Sequence, residues 1–431
     1  MAGGSAPNVD NGNGLASLDL FGEPFVADPF PTLEVLRDSA PVHHDPGTGL
    51  WLVSRYDDVR RVLLDPESYL PDNTQKAITR LSVPALRALA KAGFALPPAL
   101  ANNGGPSHAG LRRLVTRFFT THKVAATAPL IEQCARELLA EAQADIAAGS
   151  VYDLSAGYAR RLPCRVMMRV LGIEGVSPQR LVAWSDAALE LFYGRPRVER
   201  QVHLAEQVGD FYRWLMTRFT DGRCVDGLFG ALREHRQPNG AALDRKTAVA
   251  VCFFVLIAGQ STTAQLISTV LRRAAADPGV WSRLATDDDF GEAWVEEVIR
   301  REPPVTTWRR VATRDVHLSG VRIPSGGELL LMLMGTGSDS EVFPDAARLC
   351  PHRPNSRRHL SFGVGRHRCP GALMALTEAV VALRMAASLL PDVELAEAEP
   401  PPMLGLLSFR APERVTVRRT ARPARPPERH A

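Results

Sequence analysis

One cysteine of six sits in a setting the others lack. Cys369 lies in the run Phe362-Gly363-Val364-Gly365-Arg366-His367-Arg368-Cys369-Pro370-Gly371. Two glycines ahead of it let a backbone fold closely beneath a flat cofactor. An apolar stretch with helical spacing follows, so Cys369 is placed at or near a helix N-terminus. Partial positive charge and free N–H groups there favour a thiolate, the form of the side chain that ligates haem iron. Pro370 suits a first helical position but offers the sulfur no N–H. Cys134, Cys164, Cys224, Cys252 and Cys350 are scattered and form no C-x-x-C pair, so zinc-ribbon and thioredoxin-like chemistry have no support.

Three further groups of residues could do chemistry or support it. Glu297 and Arg300 stand three apart, on one face of a helix. His108 and Arg112 stand four apart near a helix start, and both can donate to a carboxylate. Ala258-Gly259-Gln260-Ser261-Thr262-Thr263 lies in mid-helix, where a small residue and a glycine open space over a flat cofactor and allow a kink. The bland reading there is a buried helix whose hydroxyls bond back to carbonyls four residues earlier.

The Phe362–Gly371 run closely resembles the haem-binding signature of the cytochrome P450 family, in the pattern F-G-x-G-x-H-x-C-x-G. The resemblance extends from Asp19 to about Arg418 and is to the soluble bacterial type. It implies a mainly α, triangular single domain with a minor β region, and haem b (iron protoporphyrin IX) as cofactor. Cys369 would be the axial ligand, within the frame of Phe362, Gly363 and Gly371. Glu297 and Arg300 match the family's structural pair, with Arg353 as third partner. His108, Arg112, Arg310 and His359 match propionate donors, Arg309 pointing to the other face of its strand.

The oxygen-side segment departs from the family at one residue. The pattern is A-G-x-(Asp/Glu)-T-T, so Thr262 matches the oxygen-binding threonine beside Ala258 and Gly259, while Ser261 stands where an acid relays protons. Serine passes a proton through hydrogen bonds but holds no charge near neutral pH. Altered proton delivery is therefore expected. The activity implied is O2-dependent oxidation of a mid-sized apolar or aromatic secondary metabolite, with monooxygenation in natural-product biosynthesis as the leading expectation. Oxidative radical C–C or C–N coupling without oxygen insertion is the alternative, and a non-catalytic haem sensor a third reading. Electrons would come from a separate ferredoxin and an NAD(P)H-dependent reductase. Arg112, Arg113, Arg117, Arg357, Arg358, Arg366 and Arg368 form a candidate docking face.

The elements that must position these residues are mostly helices. Helical periodicity marks 56–64, 85–92, 107–120, 124–148, 158–171, 178–192, 198–220, 244–275, 290–302 and 370–389. Strands are expected at 51–54 and across 311–333, with turns at Ser319-Gly320 and Pro324–Gly327. The Pro- and Gly-punctuated stretch 66–107 reads as a binding loop. A substrate pocket would draw on 66–103, on 178–203, on 258–262, on 304–308 and on 403–409. Gln75, Asn102, Asn103, Gln260, Thr306, Thr307 and Trp308 are its candidate polar contacts.

The 431 residues, 45% hydrophobic and 23% charged, can bury a large core. A net charge of +4 is too mild to argue for nucleic acid. The N-terminus lacks a signal-peptide pattern, and the longest apolar run, 248–259, reads as too short to span a bilayer. A cytoplasmic monomer without membrane contact is expected. Residues 18–419 would form the oxygenase domain, between flexible segments 1–17 and 420–431.

Overall fold

The structure is a computed structural model and describes residues 15, 18–220, 226–237 and 239–420. The expectations for the two chain ends therefore fall, apart from Leu15 and Thr420, outside the described residues, as does Cys224. The architecture is mainly helical, with a five-stranded sheet, a three-stranded sheet and a two-stranded ribbon.

The fold is organised around the helix Arg245–Ala275, called here the central helix. Asp244 caps it by accepting from the Thr247 N–H at 3.1 Å. Twenty-one of its 31 residues are buried, so its apolar positions run all round and not in one stripe. Ala248–Leu256 belong to one hydrophobic cluster, with Pro178–Tyr193 (the roof helix) and Val198–Thr220. Leu266–Ala275 belong to a second cluster, with Thr121–Ala147 and Ala372–Leu389. The segment between the two, 257–263, is where burial loosens: Ala258 is exposed in the middle of an otherwise enclosed helix. A helix can leave a core briefly only where something else occupies that space, and this gap coincides with the candidate oxygen-side residues.

The central helix and Ala372–Leu389 are each long and apolar enough to cross a membrane by length and composition alone. This corrects the expectation drawn from uninterrupted apolar runs. Gln260, Ser261 and Thr262 interrupt the run, but they do not end the helix. Its apolar surface is spent inside the protein, with 72% of the most apolar window buried.

The five-stranded sheet has the order Val42–Asp45, Leu50–Val53, Glu328–Leu331, Trp308–Ala312, Tyr69–Leu70. Trp51 pairs in parallel with Leu329, bringing together strands about 280 residues apart. Arg310 pairs antiparallel with Leu329, which fixes the direction of the Arg309 and Arg310 side chains. Arg309 donates to the Thr74 carbonyl at 3.1 Å and stacks on Tyr193, whereas Arg310 turns toward His367. The ribbon Val316–Leu318/Val321–Ile323 turns at Ser319 and Gly320, with φ of 45° and 78°. Those left-handed values match the turn chemistry read from the sequence.

Candidate functional site

The ligand loop is held by its own backbone. The Cys369 N–H donates to the Phe362 carbonyl at 2.8 Å, and the Gly363 N–H to Leu360 at 2.8 Å. Gly363 and Gly365 have φ of 64° and 72°, which a side chain would strain. The helix that follows begins at Ala372 with Gly371 as N-cap, two residues later than the sequence suggested. The sulfur consequently has an N–H donor after all: the Gly371 backbone faces it, while Pro370 supplies none. Burial pushes the Cys369 thiol up, and Gly371 N–H, Arg112 and Arg368 oppose that push. A cation bound to the sulfur would add to the opposing side.

Around the cysteine stands a set of basic side chains, two arginines and two histidines. Arg112 is half-buried, and Arg310 and His108 are each only 3% exposed. His367 lies beside His108 with ring centroids 4.4 Å apart. Burial lowers Arg310 to about 10. Burial, with Arg366 and Arg112, lowers His108 to about 4. Burial, with His108, Arg310, Arg366 and Arg112, lowers His367 to about 3. No carboxylate meets any of the four among the described residues, and His367 Nε2 is buried without a partner. A buried guanidinium without counter-charge is costly, and an anion beside the two imidazoles would favour their protonated forms. Two carboxylates brought in by a ligand would complete the set. The site thus fits a flat dianionic macrocycle above a cysteine.

His359 does not belong to that set. Its Nε2 bonds Glu296 Oε1 at 3.1 Å and its Nδ1 accepts from the Ser361 N–H at 3.2 Å, so both ring nitrogens are engaged. This corrects the expectation of a propionate donor at 359. His367, two residues before the cysteine, lies instead beside His108 and within reach of Arg310 and Arg112. The signal that could have found it is a histidine flanked by two arginines at the end of a glycine turn. We expect His367→Ala to speed haem loss to a scavenger protein about tenfold, the loss of one charge-assisted hydrogen bond. His359→Ala should lower thermal stability without that acceleration. Equal acceleration by both would refute the assignment.

On the opposite side, the Thr262 hydroxyl donates to the Ala258 carbonyl at 2.6 Å and Thr263 to Gly259 at 3.2 Å. Back-bonding of this kind is the bland reading of the segment, and it coexists with an exposed Ala258 and a half-buried Thr262. Gly259 has a different purpose from the one expected. A Cβ there would lie 2.2 Å from Met167 Cε, so the glycine permits close packing against Leu162–Leu171. Gln260 points away to the roof helix, donating to Leu181 and Ser185.

The structural pair is fully assembled. Arg300 donates to both Glu297 oxygens, at 2.9 and 2.8 Å, and Arg353 to Glu297 Oε1 at 2.9 Å. Asn102, Asn103, Thr306 and Thr307 are engaged within the protein. Asn102 bridges Gln75 at 2.7 Å and the Ala99 N–H at 2.9 Å, and Asn103 bonds Ala99 and Ser107. The two threonine hydroxyls donate to the Leu407 carbonyl at 3.4 and 3.1 Å. They fix loops, and the threonine oxygens keep acceptor capacity only.

Comparison with known proteins agrees with this geometry. The chain is 31% identical over 389 residues to the cytochrome P450 monooxygenase PikC of Streptomyces venezuelae, covering 88% of each. The chain belongs to the cytochrome P450 family. The family model "Cytochrome P450" matches residues 220–386. The mycinamicin IV hydroxylase/epoxidase of Micromonospora griseorubida is 31% identical over 82% of this chain and 85% of its own. Among solved structures, an intact type IV self-sufficient cytochrome P450 monooxygenase superposes with a TM-score of 0.87 at 30% identity, covering 96% of this chain and 54% of that one. The protein is therefore a haem enzyme of the P450 type, with a mainly α fold, acting on small molecules. Haem supplies, when bound, the iron at which dioxygen is activated.

Proposed function

We propose that this P450 inserts one oxygen atom into a mid-sized apolar or aromatic secondary metabolite, with Cys369 as axial ligand and His108, Arg112, Arg310 and His367 on the propionates. The observation that carries this reading is the convergence of a half-buried cysteine with two arginines and two histidines that meet no acid among the described residues. Thr262 and Ala258 line the oxygen side from the central helix. The Thr262 hydroxyl spends its proton on Ala258, so its oxygen remains free to accept from water or substrate.

A cavity of about 770 Å³ opens beside the central helix, where Gln260, Ser261, Ala264 and Gln265 line it and Ala258, Thr262 and Cys369 do not. It runs between the roof helix, the Gly194–Pro196 turn and Leu404–Leu406, with Val182, Leu189 and Leu404 on its apolar side. That volume is within the range of small-molecule sites, roughly 300–1,000 Å³. Of the segments expected to build a substrate pocket, 178–203, 258–262 and 403–409 lend residues to this cavity, and 66–103 and 304–308 do not. Two relatives named for macrolide chemistry, the mycinamicin enzyme and an erythromycin C-12 hydroxylase, support a natural-product substrate. A separate ferredoxin with its reductase, docking on the exposed Arg113, Arg357, Arg358, Arg366 and Arg368, would supply electrons in the cytoplasm. Residues 18–419 would act as one oxygenase unit.

The test combines a ligand-induced spin-shift screen with product mass from NADPH-driven turnover. A gain of one oxygen supports monooxygenation. A loss of two hydrogens without oxygen assigns oxidative coupling, the reading the serine at 261 leaves open. Ligand binding without NADPH-dependent product would make the protein a sensor.

A further inference from the structure

The missing acid at Ser261 leaves a practical question: what carries protons to the oxygen side? Ser261 lines the cavity just described, on its polar wall. Thr262, Thr263, Ser268 and Thr269 each donate to the carbonyl four residues back. Ser261 makes no such bond and keeps its hydroxyl available to the cavity. Gln260 and Gln265 line the same wall, 3% and 7% exposed, and each has a buried amide oxygen with no protein partner. Unpartnered amide oxygens beside a roomy polar space are sites for ordered water.

Facing this wall from the roof helix is Asp186. Arg160, following the short π-turn Ser155–Ala159, holds one carboxylate oxygen, Oδ2. The Asp186 side chain nevertheless stays 43% exposed, toward the cavity. The other charged groups here are engaged or stand at the rim. Glu190 is gripped by Arg200, with Nε to Oε1 at 2.8 Å, and Arg195 pairs with Asp19 at 3.2 Å. Glu413 is exposed at the mouth.

We propose that Asp186 supplies the carboxyl group that the central helix lacks, relaying protons from solvent through cavity water and the Ser261 hydroxyl toward Thr262. The proposal rests on the dioxygen-activating function above. Asp186 gives its proton to cavity water, and water protonates the Ser261 oxygen as the serine proton moves on. Solvent at the mouth then reprotonates Asp186, so no charge accumulates and no redox partner is consumed. Partial desolvation under the roof helix, against the pull of Arg160 and with help from Glu190, holds the Asp186 proton somewhat more tightly than an ordinary aspartate does. A relay acid benefits from that shift toward the working pH. The acid has moved from the central helix to the helix packed across it.

Two measurements on the haem-loaded enzyme test this. Infrared difference spectra of the ferric protein should contain a carboxyl C=O band that titrates above the ordinary aspartate range and is missing in Asp186→Asn. NADPH-driven dioxygen consumption, with a plant-type ferredoxin and its reductase as electron donors, should fall about a hundredfold in Asp186→Asn, a usual contribution of a proton-transfer residue. The wild-type rate should decline as pH rises through the titration of that band, and Asp186→Asn should lose this decline. Asp186→Glu should retain most activity, and Ser261→Asp added to Asp186→Asn should restore it by returning the acid to the central helix. An Asp186 carboxyl ionised throughout, or an Asp186→Asn rate and pH profile within twofold of wild type, overturns the proposal. Absence of dioxygen consumption in the wild type would count against the function instead, while the infrared titration still reads Asp186.

Discussion

Cys369→Ser should abolish the red-shifted Soret band of the reduced, carbon monoxide-treated protein and lower NADPH-driven turnover by at least a hundredfold. The expectation follows from what the other cysteines can do. Cys164 and Cys252 are fully buried, and burial pushes the Cys164 thiol to about 12 and Cys252 well up. Cys134 is buried in the Thr121–Ala147 helix with its thiol also raised, first by burial and then by Glu137. Cys350 is exposed, with its backbone committed to Glu297 at 3.0 Å. Only Cys369 among the described cysteines has Arg112, Arg368 and a backbone N–H arranged to favour a thiolate. The variant should still fold, because the ligand loop is closed by main-chain bonds from Cys369 N and Gly363 N that serine preserves. Far-ultraviolet circular dichroism and total haem content check folding. A variant that keeps the thiolate-type band would move the ligand to another cysteine and sink the site assignment.

What the chain alone disclosed divides along a physical line. The ligand loop was legible because Phe362–Gly371 is contiguous, and glycine, cysteine and helix start each constrain the backbone locally. Glu297 and Arg300 were legible for the same reason, one helix turn apart. Arg353, 53 residues on, came only from the family resemblance, because no local pattern ties it to the pair. The errors arise where a side chain's partner comes from a distant segment. His359 has the right spacing for a haem contact, but Glu296 and Ser361 take both its nitrogens. Gly259 has the composition of a cofactor-facing residue, but Met167, 92 positions earlier, occupies the space beside it. The start of the last helix was read from Pro370, whereas the chain turns once more before Gly371 caps it. The cavity wall opposite Ser261 belongs to the roof helix, so no pattern within 258–263 could have revealed Asp186.

Arg300→Ala should destabilise the protein by about 3–5 kcal/mol, the usual cost of leaving a buried charge without its partner. Haem should be lost with the fold. Arg300 and Glu297 are both 0% exposed. Removing the guanidinium strands Glu297 in an apolar interior with only Arg353 and the Cys350 N–H. It also deprives the carbonyls of Ala346, which Arg300 reaches at 3.0 Å, and of Gly337 of that donor, while the Arg348 carbonyl keeps Arg353 at 3.1 Å. These carbonyls belong to the irregular stretch leading into the ligand loop, so the damage travels toward Cys369. An apolar swap of both partners often costs little at a buried ion pair. Here Glu297→Leu/Arg300→Leu should not rescue, because the Arg353 Nε would lose its carboxylate and the Ala346 and Gly337 carbonyls would lose Arg300. The same geometry fixes the pH response. Burial pushes Glu297 up, but hydrogen bonds from Arg300, Cys350 N–H and Arg353 outweigh it and hold the carboxyl below its ordinary value. A depressed folded pKa contributes stability that is fully present above the unfolded value, about 4.3, and is lost as pH falls through the folded one. Thermal unfolding of the haem-loaded protein between pH 7 and pH 3 should therefore show a steep acid limb that is reduced in Glu297→Gln, whose melting point is already low at pH 7. A wild-type-like melting point for Arg300→Ala would mean that the network positions the loop without bearing the fold.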